Sequence, residues 1–151
     1  MPTSFLTALL TSFIGTLGFS VLLHTPRRAC LPGSCIGAVG YTLYWALIAW
    51  GGLSEPAAIF IGSLVASLLA QYAARRMRMI ASIFATLAII AFVPGLGLYR
   101  CMALLAQGDT SLGLQTGIAA MANILMITLG LGVGSFIFRV IFVSRNARRK
   151  N

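Results

Sequence analysis

Few side chains in this 151-residue sequence are able to do chemistry, and their spacing limits what they do. The two acids, Glu55 and Asp109, sit in turn-forming stretches, Gly51-Gly52-Leu53-Ser54-Glu55-Pro56 and Gln107-Gly108-Asp109-Thr110-Ser111. The single histidine, His24, has no acid near it, so neither a nucleophilic triad nor a general acid–base pair assembles. Cys30, Cys35 and Cys101 form no C-x-x-C pair and have no histidine partner, and read as small apolar fillers of helices. No enzyme, metal site or cofactor is expected.

What remains points to binding. Arg100 follows Pro94-Gly95 in a long apolar run, with Gly97 between them. Proline removes a backbone donor and clashes with the preceding turn, and glycine frees the chain, so the helix is expected to break there. In a bilayer, unwound backbone is tolerated only where protein or a water-filled cavity surrounds it, and broken helices expose backbone groups to solutes near mid-membrane. A proline kink repaired by neighbouring helices is the plainer alternative. An unbroken helix from Met79 carries Arg100 about 32 Å along its axis, to an interface where a snorkelling arginine costs little. A break leaves it deeper, at a cost of about 2.5–3.5 kcal/mol or more near the bilayer centre. With no acid expected in the membrane, its counter-charge would be a substrate, a partner subunit or lipid. Arginine suits carboxylates because it grips them through two parallel hydrogen bonds.

Thr116, Asn123 and Gly130 recur every seven residues and share a helix face with Ala119. Gly33-x-x-x-Gly37, Gly113-x-x-x-Gly117 and Gly130-x-x-x-Gly134 add three patterns that let helices approach closely. Packing is the simpler reading of this stripe, and Asn123 is its member most suited to a polar role.

The elements that must position these residues follow from composition. Hydrophobic residues make up 59% of the chain and charged ones 9%, and the mean hydropathy is +0.96. Soluble domains carry roughly 25% charged residues, and a soluble domain of this size leaves about a third of its unfolded surface exposed. A soluble enzyme is excluded. Five apolar runs, 5–23, 31–50, 57–74, 79–106 and 112–143, are each near or above the roughly 20 residues a span requires. The expectation is an all-α polytopic membrane protein, a single transmembrane domain over 1–151 whose fourth helix is broken at Pro94-Gly95. The first run has no basic flank before it and no small-residue cleavage site after it, so it reads as a span rather than a signal peptide.

Eleven basic residues against two acids give +9, a balance that nucleic-acid binders share. Here, however, the charges cluster between apolar runs, as basic loops do on the anionic cytoplasmic face. Anionic lipids are the expected partners of those loops, and nucleic acid is not. Arg27, Arg28, Arg75, Arg76, Arg78, Arg139, Arg145, Arg148, Arg149 and Lys150 all fall on one side, leaving only Arg100. That places the amino terminus outside and the carboxyl terminus in the cytoplasm. Tyr41, Tyr44, Trp45 and Trp50 suit the outer headgroup level, and Tyr72 the inner one. A faint repeat of two hairpins, each turning on an arginine pair, also runs through the pattern.

The ordered set Gly18-Phe19-Ser20-Val21-Leu22-Leu23-His24-Thr25-Pro26-Arg27-Arg28, then Gly37 and Gly40, then Phe92-Val93-Pro94-Gly95 with Tyr99-Arg100, and a glycine-bearing last helix, resembles the threonine/serine exporter family. The nearest likeness is to its YjjB-type small subunit, over almost the whole chain. Ala91 departs from the pattern, which often has a proline there. The resemblance implies a bacterial inner-membrane exporter of small carboxylate-bearing metabolites such as threonine, serine or succinate, working with a larger YjjP-type subunit. Under it, Pro94 and Gly95 offer backbone groups to the solute, and Arg100 with Tyr99 binds its carboxylate. Thr116 and Asn123 line or brace the opposite wall. No group looks placed as a proton relay. A non-conducting scaffold subunit, which stabilises or targets a partner through the faces of Gly113, Gly117 and Gly130, is the competing expectation, and a homo-oligomer is a further partner expected beside the larger subunit. A small multidrug pump is disfavoured, since such pumps resemble four short helices with an intramembrane glutamate.

Overall fold

Six helices follow from this pattern in the computed structural model, which describes the backbone of residues 2–93 and 95–148. Pro94, Arg149 and Lys150 lie outside the described residues, as do the side chains of Arg145 and Arg148. The elements are α1 (Pro2–Leu22), α2 (Arg27–Ala49), α3 (Glu55–Met77), α4 (Ala81–Ile90), α5 (Gly95–Ala106) and α6 (Thr110–Arg148). No strand occurs among the described residues. Four helices are long and apolar enough to cross a membrane, and α4 with α5, bent by 47°, makes a fifth if counted as one span. The all-α membrane class expected from composition is therefore what the chain adopts. α2 starts earlier than its apolar run, so Arg27 and Arg28 occupy its first turn rather than a loop.

The helix ends follow local chemistry. α3 opens with Ser54-Glu55-Pro56, a proline in the first turn where its missing N–H costs nothing and an acid where the helix dipole favours it. Arg75 and Arg76 complement the other end of the same helix. The Asp109 carboxylate accepts the Leu112 N–H at 3.3 Å and caps α6. Both arginine-bearing corners close alike. His24 and Arg78 take left-handed φ of 51° and 54°. Beyond them the Thr25 N–H donates to the Ser20 carbonyl at 3.0 Å, and the Met79 N–H to that of Ala74 at 2.9 Å. The faint hairpin repeat thus reappears as shared corner geometry.

Small residues carry the packing. In lipid there is no hydrophobic drive between helices, so close backbone approach and interhelical hydrogen bonds hold them together. α3 packs most extensively on α6, and α1 on α2. A Cβ added to Gly130 would meet the Ser63 hydroxyl and, at 2.7 Å, the Phe60 carbonyl. One at Gly134 would meet the Ser67 Cβ at 2.8 Å. Beside this seam the Ser67 hydroxyl donates to the Leu131 carbonyl at 3.0 Å, and Gln71 Nε2 to the Ser135 hydroxyl at 3.3 Å. Gly113 and Gly117 face Leu105 and Cys101 of α5, at 2.8 Å and 2.9 Å from an added Cβ. Gly37 faces Thr16 of α1 at 2.9 Å, and Gly33 faces Leu87 of α4. Outside, Leu114, Ile118, Met121, Leu125 and Leu129 form an exposed apolar stripe along α6, suited to lipid chains.

Gly130→Ala is therefore expected to lower thermal stability in detergent by about 1–3 kcal/mol, because the added methyl collides with α3. Gly18 has nothing within 4 Å of its would-be Cβ, so Gly18→Ala should leave stability unchanged or raise it by up to about 1 kcal/mol. Equal effects at the two sites would contradict the packing described.

Candidate functional site: a cavity at the helix break

Helical geometry stops at the end of α4 and resumes at Gly95. The Phe92 N–H turns back to the Ile89 carbonyl at 2.8 Å, and the Gly95 N–H to that of Val93 at 2.7 Å. Phe92 is buried and fixes this turn. Its ring stands 3.0 Å from where a Cβ would sit on Gly40 of α2 and on Gly62 of α3. These two glycines form a notch that only residues without side chains can provide. Gly40 drew notice only as part of the resemblance, and the role of Gly62 was missed, because nothing in either helix marks the partner that enters between them.

The break forms one wall of a cavity of about 370 Å³. Ala91, Phe92 and Val93 line it from the end of α4, and Leu96, Gly97 and Arg100 from α5. Thr116, Ala119, Ala120 and Asn123 line it from α6, Tyr41 and Tyr44 from α2, and Glu55 and Ile59 from α3. The spacing explains the selection. Residues 96, 97 and 100 share one face of α5, and residues 116, 119, 120 and 123 share one face of α6. The heptad stripe seen in the sequence splits in two here. Thr116 and Asn123 reach the cavity, whereas Gly130 lies against α3.

Asn123 is only 7% exposed and its Nδ2 donates to Glu55 Oε1 at 3.0 Å. Glu55 was read as part of an outer turn, leaving no acid of this chain for Arg100. That expectation is corrected: Glu55 lines the same cavity as Arg100, with its Oε1 on Asn123. The physical reason is that Ser54-Glu55-Pro56 is a helix start, and side chains of a first turn lean back past the helix end. Among the described residues no carboxylate makes an ion pair with Arg100, so cation and anion border one space without neutralising each other. The Thr116 hydroxyl donates to the Leu112 carbonyl of its own helix at 2.8 Å, which leaves its oxygen able to accept. The Tyr44 ring meets Phe92 edge-on at 6.4 Å.

Two other expected residues fall elsewhere. Tyr99 is 70% exposed and does not line the cavity. Successive helical residues point about 100° apart, so facing Arg100 inward turns Tyr99 away. Gly95 opens α5 with nothing within 4 Å of its would-be Cβ and is not a lining residue, while Pro94 lies outside the described residues. No group of three or more His, Cys, Asp or Glu gathers as metal ligands among the described residues.

Four long apolar helices, the bent α4–α5 pair and a charged cavity beside the bend define a multi-pass α-helical membrane protein with an open polar site among its helices. The family model of the threonine/serine exporter, ThrE, matches residues 8–137, a stretch that contains every residue lining the cavity, and the chain belongs to that family. Its members are transporters. Comparisons with curated proteins and with solved structures return no match.

The Asn123–Glu55 bond is testable by a double-mutant cycle. Asn123→Ala and Glu55→Gln should be coupled by about 1 kcal/mol in thermal stability, the scale of a partly exposed hydrogen bond to a charged acceptor. Strictly additive effects would show that the bond contributes nothing.

Proposed function

We propose that this chain is the small subunit of a two-component exporter in the bacterial inner membrane, working with a larger YjjP-type subunit. Its amino terminus faces outward and its carboxyl terminus lies in the cytoplasm, as the distribution of arginines favours. The cavity at the helix break is its solute site.

The observation that carries this reading is the placement of Arg100 and Glu55 on one cavity. A zwitterionic amino acid satisfies both: its carboxylate pairs with the guanidinium, its ammonium with Glu55 Oε2 or with the oxygen shared with Asn123. Threonine and serine add a hydroxyl, for which the Thr116 oxygen and the Asn123 amide supply partners. Succinate, with two carboxylates, leaves one of them facing Glu55, and like charges placed side by side repel. The charge set therefore favours threonine or serine over a dicarboxylate. The first turn of α5 adds N–H groups without helical partners, which favour an anion on the same wall as Arg100. Alternating access would bend the α4–α5 joint, the point where the helix is already interrupted.

The scaffold alternative loses support from the same geometry. Gly113, Gly117 and Gly130, its proposed docking face, are seated on α5 and α3 of this chain.

Arg100→Ala is expected to reduce threonine and serine export at least 100-fold while the chain still inserts and accumulates. Glu55→Gln should reduce amino-acid export about 10-fold or more and admit dicarboxylates that the natural protein excludes. Export is measured in cells carrying this chain alone, the partner alone and both. Normal export with Arg100→Ala would remove the site, and unchanged selectivity with Glu55→Gln would remove the zwitterion reading.

A further inference from the structure

A second and larger cavity, about 650 Å³, opens at the opposite end of α3, where the α3–α4 corner meets α6. Arg75, Arg78 and Arg139 line it, together with Gln71, Ser135 and Phe136. Among the described residues no carboxylate lines it. The chain's acids lie far off. Glu55 is about 30 Å from Arg75 along α3, at about 1.5 Å per residue. Asp109 caps the start of α6, more than 40 Å from Arg139 by the same measure.

We propose that this pocket binds the phosphate of an anionic phospholipid headgroup. Three guanidiniums on one concave surface match a phosphate's oxygens, which arginine engages in pairs. The fold places the backbones of all three and packs the side chain of one. The Arg75 guanidinium stacks over the Phe138 ring at 5.8 Å from its centroid. Arg78 is fixed by its left-handed backbone, its N–H donating to the Ala74 and Arg75 carbonyls. That closure and the Met79 N–H occupy two carbonyls of the last turn of α3, those of Ala74 and Arg75. Arg139 follows Ser135 by one helical turn, and the Ser135 hydroxyl is already tied to Ser67 and Gln71. Gly132 leaves the α6 wall bare, with nothing within 4 Å of its would-be Cβ.

A free phosphate shares the headgroup chemistry but has no use for the rim. Ile80, at the corner between the lining residues Met79 and Ala81, is 71% exposed, Phe136 on the α6 wall is 68% exposed, and Val133 and Val140 continue the apolar face of α6. Acyl chains lie along such a face while the headgroup reaches the basic pocket between helices. The pocket thus gives the general attraction of basic loops for anionic lipid a defined place.

The test uses the full-length chain purified in a neutral detergent, with lipid retention read by native mass spectrometry. Phosphatidylglycerol or cardiolipin should be retained at least 10-fold over phosphatidylcholine. Arg75→Gln with Arg139→Gln should abolish that preference. Arg27→Gln with Arg28→Gln, an equal loss of charge at the other corner, should preserve it. Arg139→Gln alone, with a preference reduced several-fold, serves if the double variant does not fold. Equal losses in both double variants would overturn the proposal in favour of diffuse surface charge. Complete displacement of the lipid by millimolar inorganic phosphate would overturn it in favour of a soluble anion.

Discussion

Everything in this molecule depends on how closely bare backbones approach. Lipid chains solvate leucine as well as another leucine does, so burying large apolar side chains between helices gives little reason to associate. The chain instead turns its large residues outward and its small ones inward. Ala58, Gly62, Ser63, Ala66, Ser67, Ala70 and Ala74, with Ile59 the one large residue, are the buried face of α3, and Gly130 and Gly134 are what α6 lays against it. The resulting contact is tight enough for the Ser67 hydroxyl to reach a carbonyl of the other helix. It also fixes the separation at which Asn123 meets Glu55, so the polar site inherits its geometry from a glycine seam about two to three turns away.

The same economy holds the break. An interrupted helix in oil exposes backbone groups that nothing repairs, and this one is tolerated because its turn faces a cavity and its Phe92 ring is held in the Gly40–Gly62 notch. With Phe92 fixed, the 47° bend directs α5 so that Leu96, Gly97 and Arg100 border the cavity, open as it is on their side. An arginine on a straight helix here would choose between the outer interface and a costly place in oil. The cavity removes that choice by giving the guanidinium polar surroundings.

Much of this was legible in one sequence, for physical reasons. Apolar run length reports span number directly, because the bilayer sets the length of each helix. Pro94-Gly95 announced the break, since proline and glycine act locally and need no knowledge of neighbours. The small-xxx-small spacing marked faces that meet other helices, and Asn123 stood out because an amide among apolar residues needs a partner. What stayed hidden was relational. Nothing local says that the first turn of α3 stands over α6, so Glu55 looked like a loop acid. Nothing local sets the rotation of α5, so Tyr99 and Arg100 looked equally placed. The arginines of α3 and α6 read as one cytoplasmic surface. Only the α3–α6 contact folds them into a pocket.

The two charged cavities share their walls. α3 carries Glu55 at its amino-terminal end and Arg75 and Arg78 at its carboxyl-terminal end, each sign where the helix dipole favours it. α6 brings Asn123 to the first and Arg139 to the second. Glycine contacts and a hydroxyl network lock this pair, so neither wall moves readily. α4 differs. At 10 residues it is about 15 Å long, half the thickness of the hydrocarbon core. Its carboxyl-terminal end delivers Ala91 to Val93 to the first cavity, and Met79 and Ala81 at its start border the second. A tilt of this short segment against the α3–α6 pair therefore alters both cavities together.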